Sequence, residues 1–232
     1  MSPPAEFDQF ANNYDETLNE ALAVSGEDKE FFARGRVEWL ARCLEQRQHT
    51  ARSVLDYGCG TGDTTALLRD ILKCESAIGL DVSERALERA AQVHGALECR
   101  FLNFPDYTPD GTVDVVYCNG VFHHIPVQER DAAVQYIYRS LRPGGIFALW
   151  ENNPWNPGTQ YVMFRCEFDK DAVKISPPAA NNLLRKGGFE IVRTDFRFFF
   201  PGFLKVLRSI EPALVGIPLG GQYQVLAQRP PI

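Results

Sequence analysis

Residues Ser53–Thr65, SVLDYGCGTGDTT, run a short apolar stretch into glycines at alternate positions, Gly58, Gly60 and Gly62. The first half reads as a buried strand, and Thr61 to Leu72 as the helix that follows it. Glycines between the two permit positive φ and let a ligand approach the backbone with no Cβ in the way. The free N–H groups of the next helix's first turn favour a polar or negatively charged ligand group. In a doubly wound α/β sheet, ligands sit beyond the carboxyl ends of the strands, and the loop after the first strand is the default site.

The same alternation continues outward from that stretch. SAIGLDV and LECRFL read as the second and third strands, with a helix from Ser83 through Val93 between them. VDVVYC is a fourth strand, a helix runs from about Val127 to Leu141, and GGIFALWE is a fifth strand after the turn Arg142-Pro143-Gly144-Gly145. Apolar strands separated by helices imply a parallel sheet covered on both faces. After Glu151, NNPWNPGT reads as a turn-rich loop and Pro177 to Lys186 as a helix. FEIVRTDFRFFF and QYQVLAQR are two more strands, expected to form an antiparallel pair at one edge. Upstream, residues 7 to about 47 read as helical, broken at Ser25-Gly26-Glu27-Asp28, with Ser25 as the candidate cap of the second helix. The expected fold is α/β, doubly wound: a mostly parallel seven-stranded sheet with an antiparallel C-terminal edge strand and an N-terminal helical lid. The lid would be residues 1–48 and the core 49–232, with 201–221 an apolar insertion before the last strand.

Composition narrows the function. The chain has 232 residues, 30 acidic against 24 basic, and a net charge of −6. That balance argues against a phosphate-backbone binder, so no nucleic acid partner is expected. The six cysteines form no CxxC pair and no Cys/His cluster with zinc spacing, so no metal is expected. Scattered thiols and a polar, acidic opening, unlike a secretory signal, give a cytoplasmic reading. No apolar run reaches the length of a membrane span, and the 201–221 insertion is interrupted by Pro212 and Pro218.

Three ligands could use the glycine loop. A phosphate-cradling P-loop needs a Lys after its last glycine, and none follows Gly62. A dinucleotide loop needs a third glycine where Asp63 stands, and an acid there opposes a pyrophosphate. An adenosine carrying an amino acid in place of phosphates tolerates that acid. Asp81, closing the second strand, sits where a carboxylate can accept hydrogen bonds from both ribose hydroxyls.

In order and spacing, VLDYGCGTGD, IGLDVS, VDVVYCNGVFHHI and LRPGGIFALWE resemble the successive motifs of class I methyltransferases dependent on S-adenosylmethionine, of the small-molecule type. The resemblance covers about residues 50–152, and loosely FDQFANNYDETL, which is similar to the lid segment of many small-molecule members. It implies S-adenosylmethionine as cofactor. Asp56, Gly58, Gly60 and Gly62 would surround its methionine and ribose parts, with Asp81 on the ribose and Val82 against the adenine. Asn103 and Phe104 stand where members often have an acidic residue near the adenine amino group; an amide can accept from that group. Asn119 and Val121 would lie near the methionine half, and Tyr14 would close over it. The resemblance also implies methyl transfer to a small-molecule acceptor.

His123-His124 raises metal binding or a general base. Adjacent residues point in different directions and rarely share a metal, and paired histidines in this family commonly form a cofactor-side wall. His124 is the candidate catalytic proton acceptor. The sequence CNGVFHH differs from the NPPY-like pattern associated with nucleic-acid amines or protein glutamine. Phe198, Phe199, Phe200 and Phe203 divide between core and an apolar acceptor pocket, which suggests an acceptor with an apolar portion. The rival functions are a nucleotide-binding oxidoreductase, disfavoured by Asp63, and a non-catalytic S-adenosylmethionine-binding partner.

Overall fold

The computed structural model describes residues 20, 22–166 and 172–231. The helical reading of Phe7 through Leu18 lies outside the described residues. A 3-10 turn, Ala23–Ser25, ends at Gly26, whose φ of 73° reverses the chain. Helix α1, Lys29–Gln46, then starts on Asp28, whose carboxylate accepts from the Phe31 N–H at 2.9 Å. Asp28, rather than the expected Ser25, is the cap: the Ser25 hydroxyl donates backwards to the Leu22 carbonyl at 2.6 Å.

The core alternates β1 (Ser53–Tyr57), α2 (Asp63–Leu72), β2 (Ser76–Asp81), α3 (Glu84–His94), β3 (Cys99–Asn103), β4 (Val113–Asn119), α4 (Arg130–Ser140) and β5 (Leu141–Asn152). Beyond them come α5 (Pro157–Arg165), α6 (Pro177–Lys186), β6 (Glu190–Arg197), α7 (Glu211–Leu214) and β7 (Gln222–Gln228). The seven strands form one sheet in the order β3-β2-β1-β4-β5-β7-β6. β1 to β5 pair in parallel. β7 runs antiparallel between β5 and β6, so the antiparallel pair lies at the edge with β6 outermost and the C-terminal strand one place in.

Both faces are buried, as strands this apolar require. Successive side chains alternate between them: Val115 and Tyr117 pack with Val37 and Leu40 of α1, while Val116 and Cys118 pack with Val134 and Ile137 of α4. Each such side chain contributes roughly 1.5–3 kcal/mol by leaving water. Helix α1 is thus part of the sheet's covering layer. Among the described residues, no helix is long and apolar enough to cross a membrane.

Three further readings differ from the fold. The turn expected at Arg142-Pro143-Gly144-Gly145 lies inside β5, as the bulge where its pairing with β4 passes from Leu141 to Ile146. The turn-rich stretch after Asn152 contains α5, because Asn156 caps it, accepting from the Thr159 N–H at 2.9 Å, and Pro157 occupies its first position. An Asn-Pro pair that reads as a turn also starts a helix. The strand expected through Phe200 stops at Arg197. Phe198 takes φ 63° and swings its ring under α1, 4.9 Å from that of Phe32. The insertion that follows folds as a 3-10 segment, Gly202–Ile210, and the short α7. Buried Glu211 ties it down, accepting from the N–H groups of Phe199 and Phe200 at 3.1 Å each.

Candidate functional site

The sheet's connections reverse between β1 and β4, where the carboxyl ends of neighbouring strands leave a crevice. Gly58, Gly60 and Gly62 all have positive φ, 79°, 54° and 81°. Their surroundings differ. A Cβ on Gly62 would lie 2.6 Å from the Phe101 ring, so this glycine serves packing between loop and sheet. A Cβ on Gly60 would meet nothing within 4 Å, because that backbone faces open space. The loop is held from β2: Gly58 and Cys59 N–H donate to the Leu80 carbonyl at 2.8 and 2.9 Å. Asp81 accepts from the Gly60 N–H on one oxygen at 2.8 Å and from the Ser83 N–H on the other at 2.9 Å.

Three cavities follow one another along this end of the sheet. The first, about 310 Å³, is lined by Gly58, Gly60, Asp81, Val82, Phe104, Asn119, Val121 and His124, with Tyr57 and Ile125. Two acids, Asp81 and Glu129, with apolar side chains around them suit a ribose and an aromatic base. The second, about 110 Å³, shares Gly58, Gly60 and Asn119 as a wall and adds Lys29, Arg36, Asp56, Asp63 and Tyr117. It carries two acids and two cations, the donor set an amino acid's ammonium and carboxylate would need.

Asp56 is 2 % exposed and accepts from the Thr65 hydroxyl at 2.7 Å. Burial pushes its carboxyl up to about 7; the Thr65 hydrogen bond opposes the rise and the Asp81 charge adds to it. Asp63 is the contrast. Burial raises it, but hydrogen bonds from Lys29 (2.5 Å), His94 (2.8 Å) and Thr61 (3.1 Å) outweigh that and hold it below the usual carboxylate range. Arg36, buried, donates to the Tyr117 hydroxyl at 3.1 Å and to the Gln222 side-chain oxygen at 3.0 Å.

Gln222 opens onto the third cavity, about 350 Å³, walled by Phe31, Phe32, Phe198, Phe199, Phe200 and Phe203, with Tyr161 and Asn152. The Arg36–Gln222 hydrogen bond therefore spans the wall between the charged cavity and the aromatic one.

The two adjacent histidines part company. His123 is buried, its Nδ1 2.5 Å from Glu151, whose other oxygen accepts from the Phe122 N–H at 2.9 Å. That buried pair fixes the loop after β4. His124 lines the first cavity, its ring 4.2 Å from that of His123. Among the described residues, no group of three or more His, Cys, Asp or Glu could hold a metal ion. Cys59 and Cys118, both buried, have thiols pushed well above the usual range by desolvation, so they fill space and do not react.

Of the residues singled out from sequence, seven line the first cavity with His124, and Asp56 lines the second. Gly62 and Asn103 line neither; Asn103 sits beside Asp81 in the β2–β3 register. Tyr14 lies outside the described residues. Lys29, Arg36 and Glu151 were not anticipated as site residues. Lys29 and Arg36 are seven apart on α1, hence on one helix face, a signal that becomes readable once that face is known to meet the glycine loop.

Residues 54–145 match the family model described as a methyltransferase domain. The chain is similar to trans-aconitate 2-methyltransferase of Azoarcus sp. (strain BH72), 31% identical over 99 residues, which span 43% of this chain but only 38% of that protein. It is also similar to carboxy-S-adenosyl-L-methionine synthase of Desulfotalea psychrophila, 26% identical over 233 residues, 88% of this chain and 93% of that one. In fold it resembles a solved S-adenosylmethionine-dependent methyltransferase of Thermotoga maritima described as a possible histamine N-methyltransferase: TM-score 0.67, 20% identity, covering 96% of this chain and 98% of the other.

Proposed function

We propose, for a chain whose residues 54–145 match a methyltransferase domain, that it is a class I methyltransferase dependent on S-adenosylmethionine and transfers a methyl group to a small-molecule acceptor with an apolar portion. The observation that carries this reading is the order of the three cavities: one suited to an adenosine, one suited to an amino acid, and an aromatic one beyond the Arg36–Gln222 bridge.

When bound, S-adenosylmethionine supplies an electrophilic methyl group on a sulfonium, open to in-line displacement. Asp81 would take the ribose hydroxyls, and Val82 and Phe104 would flank the adenine. Asp56 would meet the ammonium, and Arg36 and Lys29 the carboxylate. Asn119 and Val121 form the wall on the methionine side. The six phenylalanines would hold the acceptor's apolar part and exclude water. Alignment of this kind contributes several kcal/mol.

His124 would take the proton of a hydroxyl or ammonium acceptor; His124→Gln should then lower kcat by about a hundredfold or more with cofactor affinity unchanged, whereas loss of a wall residue would change only the cofactor's KM. The net charge of −6 supports an acceptor other than nucleic acid. Six free, buried cysteines support a reducing, cytoplasmic setting.

Titration calorimetry with S-adenosylmethionine tests the reading. Asp81→Ala should weaken binding by about tenfold or more, the worth of hydrogen bonds to a charged group. Phe200→Ala should leave cofactor affinity unchanged and weaken acceptor binding. No binding by the intact chain would reject the reading.

A further inference from the structure

The aromatic cavity opens between two elements that carry their apolar side chains outward. Phe203, on the 3-10 segment Gly202–Ile210, and Tyr161, on α5, both line its mouth. Phe203 is 80 % exposed, Val206 80 % and Phe164 82 %. The segment kinks at Leu204 (φ −109°), with Phe203 exposed before the kink and Val206 after it; beyond it, residues three apart eclipse in the 3-10 turn, so Leu207 and Ile210 form an exposed pair. Phe164 follows Tyr161 at helical spacing on α5.

The 3-10 segment is anchored through its polar residue. Arg208 pairs with Glu27 at 2.7 Å, donates to the Phe200 carbonyl at 3.0 Å and lies 4.4 Å over the Phe31 ring. The apolar tips are thereby held facing solvent. Contiguous exposed apolar surface of this kind marks an interaction site.

Charge selects the partner. The two elements carry Arg165, Lys205 and Arg208 and no acid, on a chain of net charge −6. Glu27 meets the charge of Arg208 and Glu20 acts on that of Arg165, and Arg165 and Lys205 stand beside the apolar tips. A second copy meeting this face across a two-fold axis would bring like cations together. A lipid surface instead takes apolar tips into its acyl boundary and cations against anionic headgroups.

We infer that this face docks on anionic lipid membranes, with the mouth of the aromatic cavity turned to the bilayer, so that an acceptor can enter from the lipid phase. The attachment is peripheral and does not depend on methyl transfer.

Co-sedimentation of the full chain with vesicles tests it, using phosphatidylcholine mixed with phosphatidylglycerol against phosphatidylcholine alone. Binding is expected to the mixed vesicles and more weakly to the neutral ones. The double substitution Phe164→Ser, Val206→Ser should lower partitioning by about tenfold or more. Both side chains are exposed and outside all three cavities, so S-adenosylmethionine affinity by calorimetry should stay unchanged. Lys205→Gln should lose about fivefold on the anionic vesicles only. No sedimentation with either vesicle overturns the inference, as does sedimentation that the substitutions leave unaltered. A concentration-dependent dimer abolished by Val206→Ser, without vesicle binding, would assign the face to a second copy.

Discussion

Asp56 and Asp81 close neighbouring strands, yet burial gives them different chemistry. Asp81 accepts two backbone N–H groups at the cavity rim; Asp56, which accepts from the Thr65 hydroxyl, has its carboxyl pushed up to about 7 by burial. A folded-state value above the ordinary 3.8 means the native chain binds more protons than the unfolded one between about pH 4 and 7. Stability from this group is therefore complete below that window and is lost as pH rises through it. Asp56→Asn should flatten that fall and leave the cofactor-free protein more stable above pH 7, by up to about 4 kcal/mol for a shift of this size; denaturant unfolding across pH reads it. An ammonium placed beside Asp56 would lower its pKa again. Cofactor affinity should then rise from pH 6 to 8 with proton release in calorimetry, and Asp56→Asn should show neither. At this scale the turn of the glycine loop and the place of Asp81 beside it were legible because both follow from local spacing. The packing of Gly62 was not, since the Phe101 ring that claims its space comes from another strand. Arg36 and Glu151 escaped for the same reason: their partners are supplied by tertiary structure.

The elements around the aromatic cavity depend on one buried acid. Glu211 accepts from the Phe199 and Phe200 N–H groups and lies 4.0 Å from Arg197. Among the described residues, the Arg197 Nε and Nη1, the latter being the atom that faces Glu211, are buried without a hydrogen-bond partner, and the guanidinium stacks 4.6 Å over Trp39. Glu211→Ala would strand two N–H groups and a largely buried cation, a loss of about 3 kcal/mol. The unfolding temperature should fall by roughly 6–10 °C, while cofactor affinity persists because the glycine loop lies over β1 and β2. Loss of cofactor binding as well would show that the cavities do not behave as separate parts. Strand β6 and the segment after it were harder to read than β1 to β5. FRFFF continues a strand pattern, and only the positive φ at Phe198 turns it beneath α1. Conversely, Asn156 and Pro157, within the stretch 152–159 that suggested a loop, begin α5. Punctuating residues mark a boundary without saying which side of it is ordered.

Across the molecule, the alternation of strand and helix was sufficient to place β1 to β5 in a parallel sheet, because each connection is local. The position of β7 between β5 and β6 was not readable from periodicity, which fixes neither neighbour nor order. It matters for function: β7 brings Gln222 to Arg36 and so sets the aromatic cavity beside the charged one. A ligand filling the first two cavities should stabilise the whole chain by mass action. S-adenosylmethionine or S-adenosylhomocysteine at a hundredfold excess over its Kd should add about 2.7 kcal/mol, raising the unfolding temperature by roughly 5–10 °C for a chain of this length. A nicotinamide dinucleotide should add nothing. Its pyrophosphate would have to sit by the first turn of α2, where Asp63 is held ionised by Lys29 and His94 and Asp56 lies behind the loop. A thermal shift with the dinucleotide and none with S-adenosylhomocysteine would reverse the assignment of the glycine loop.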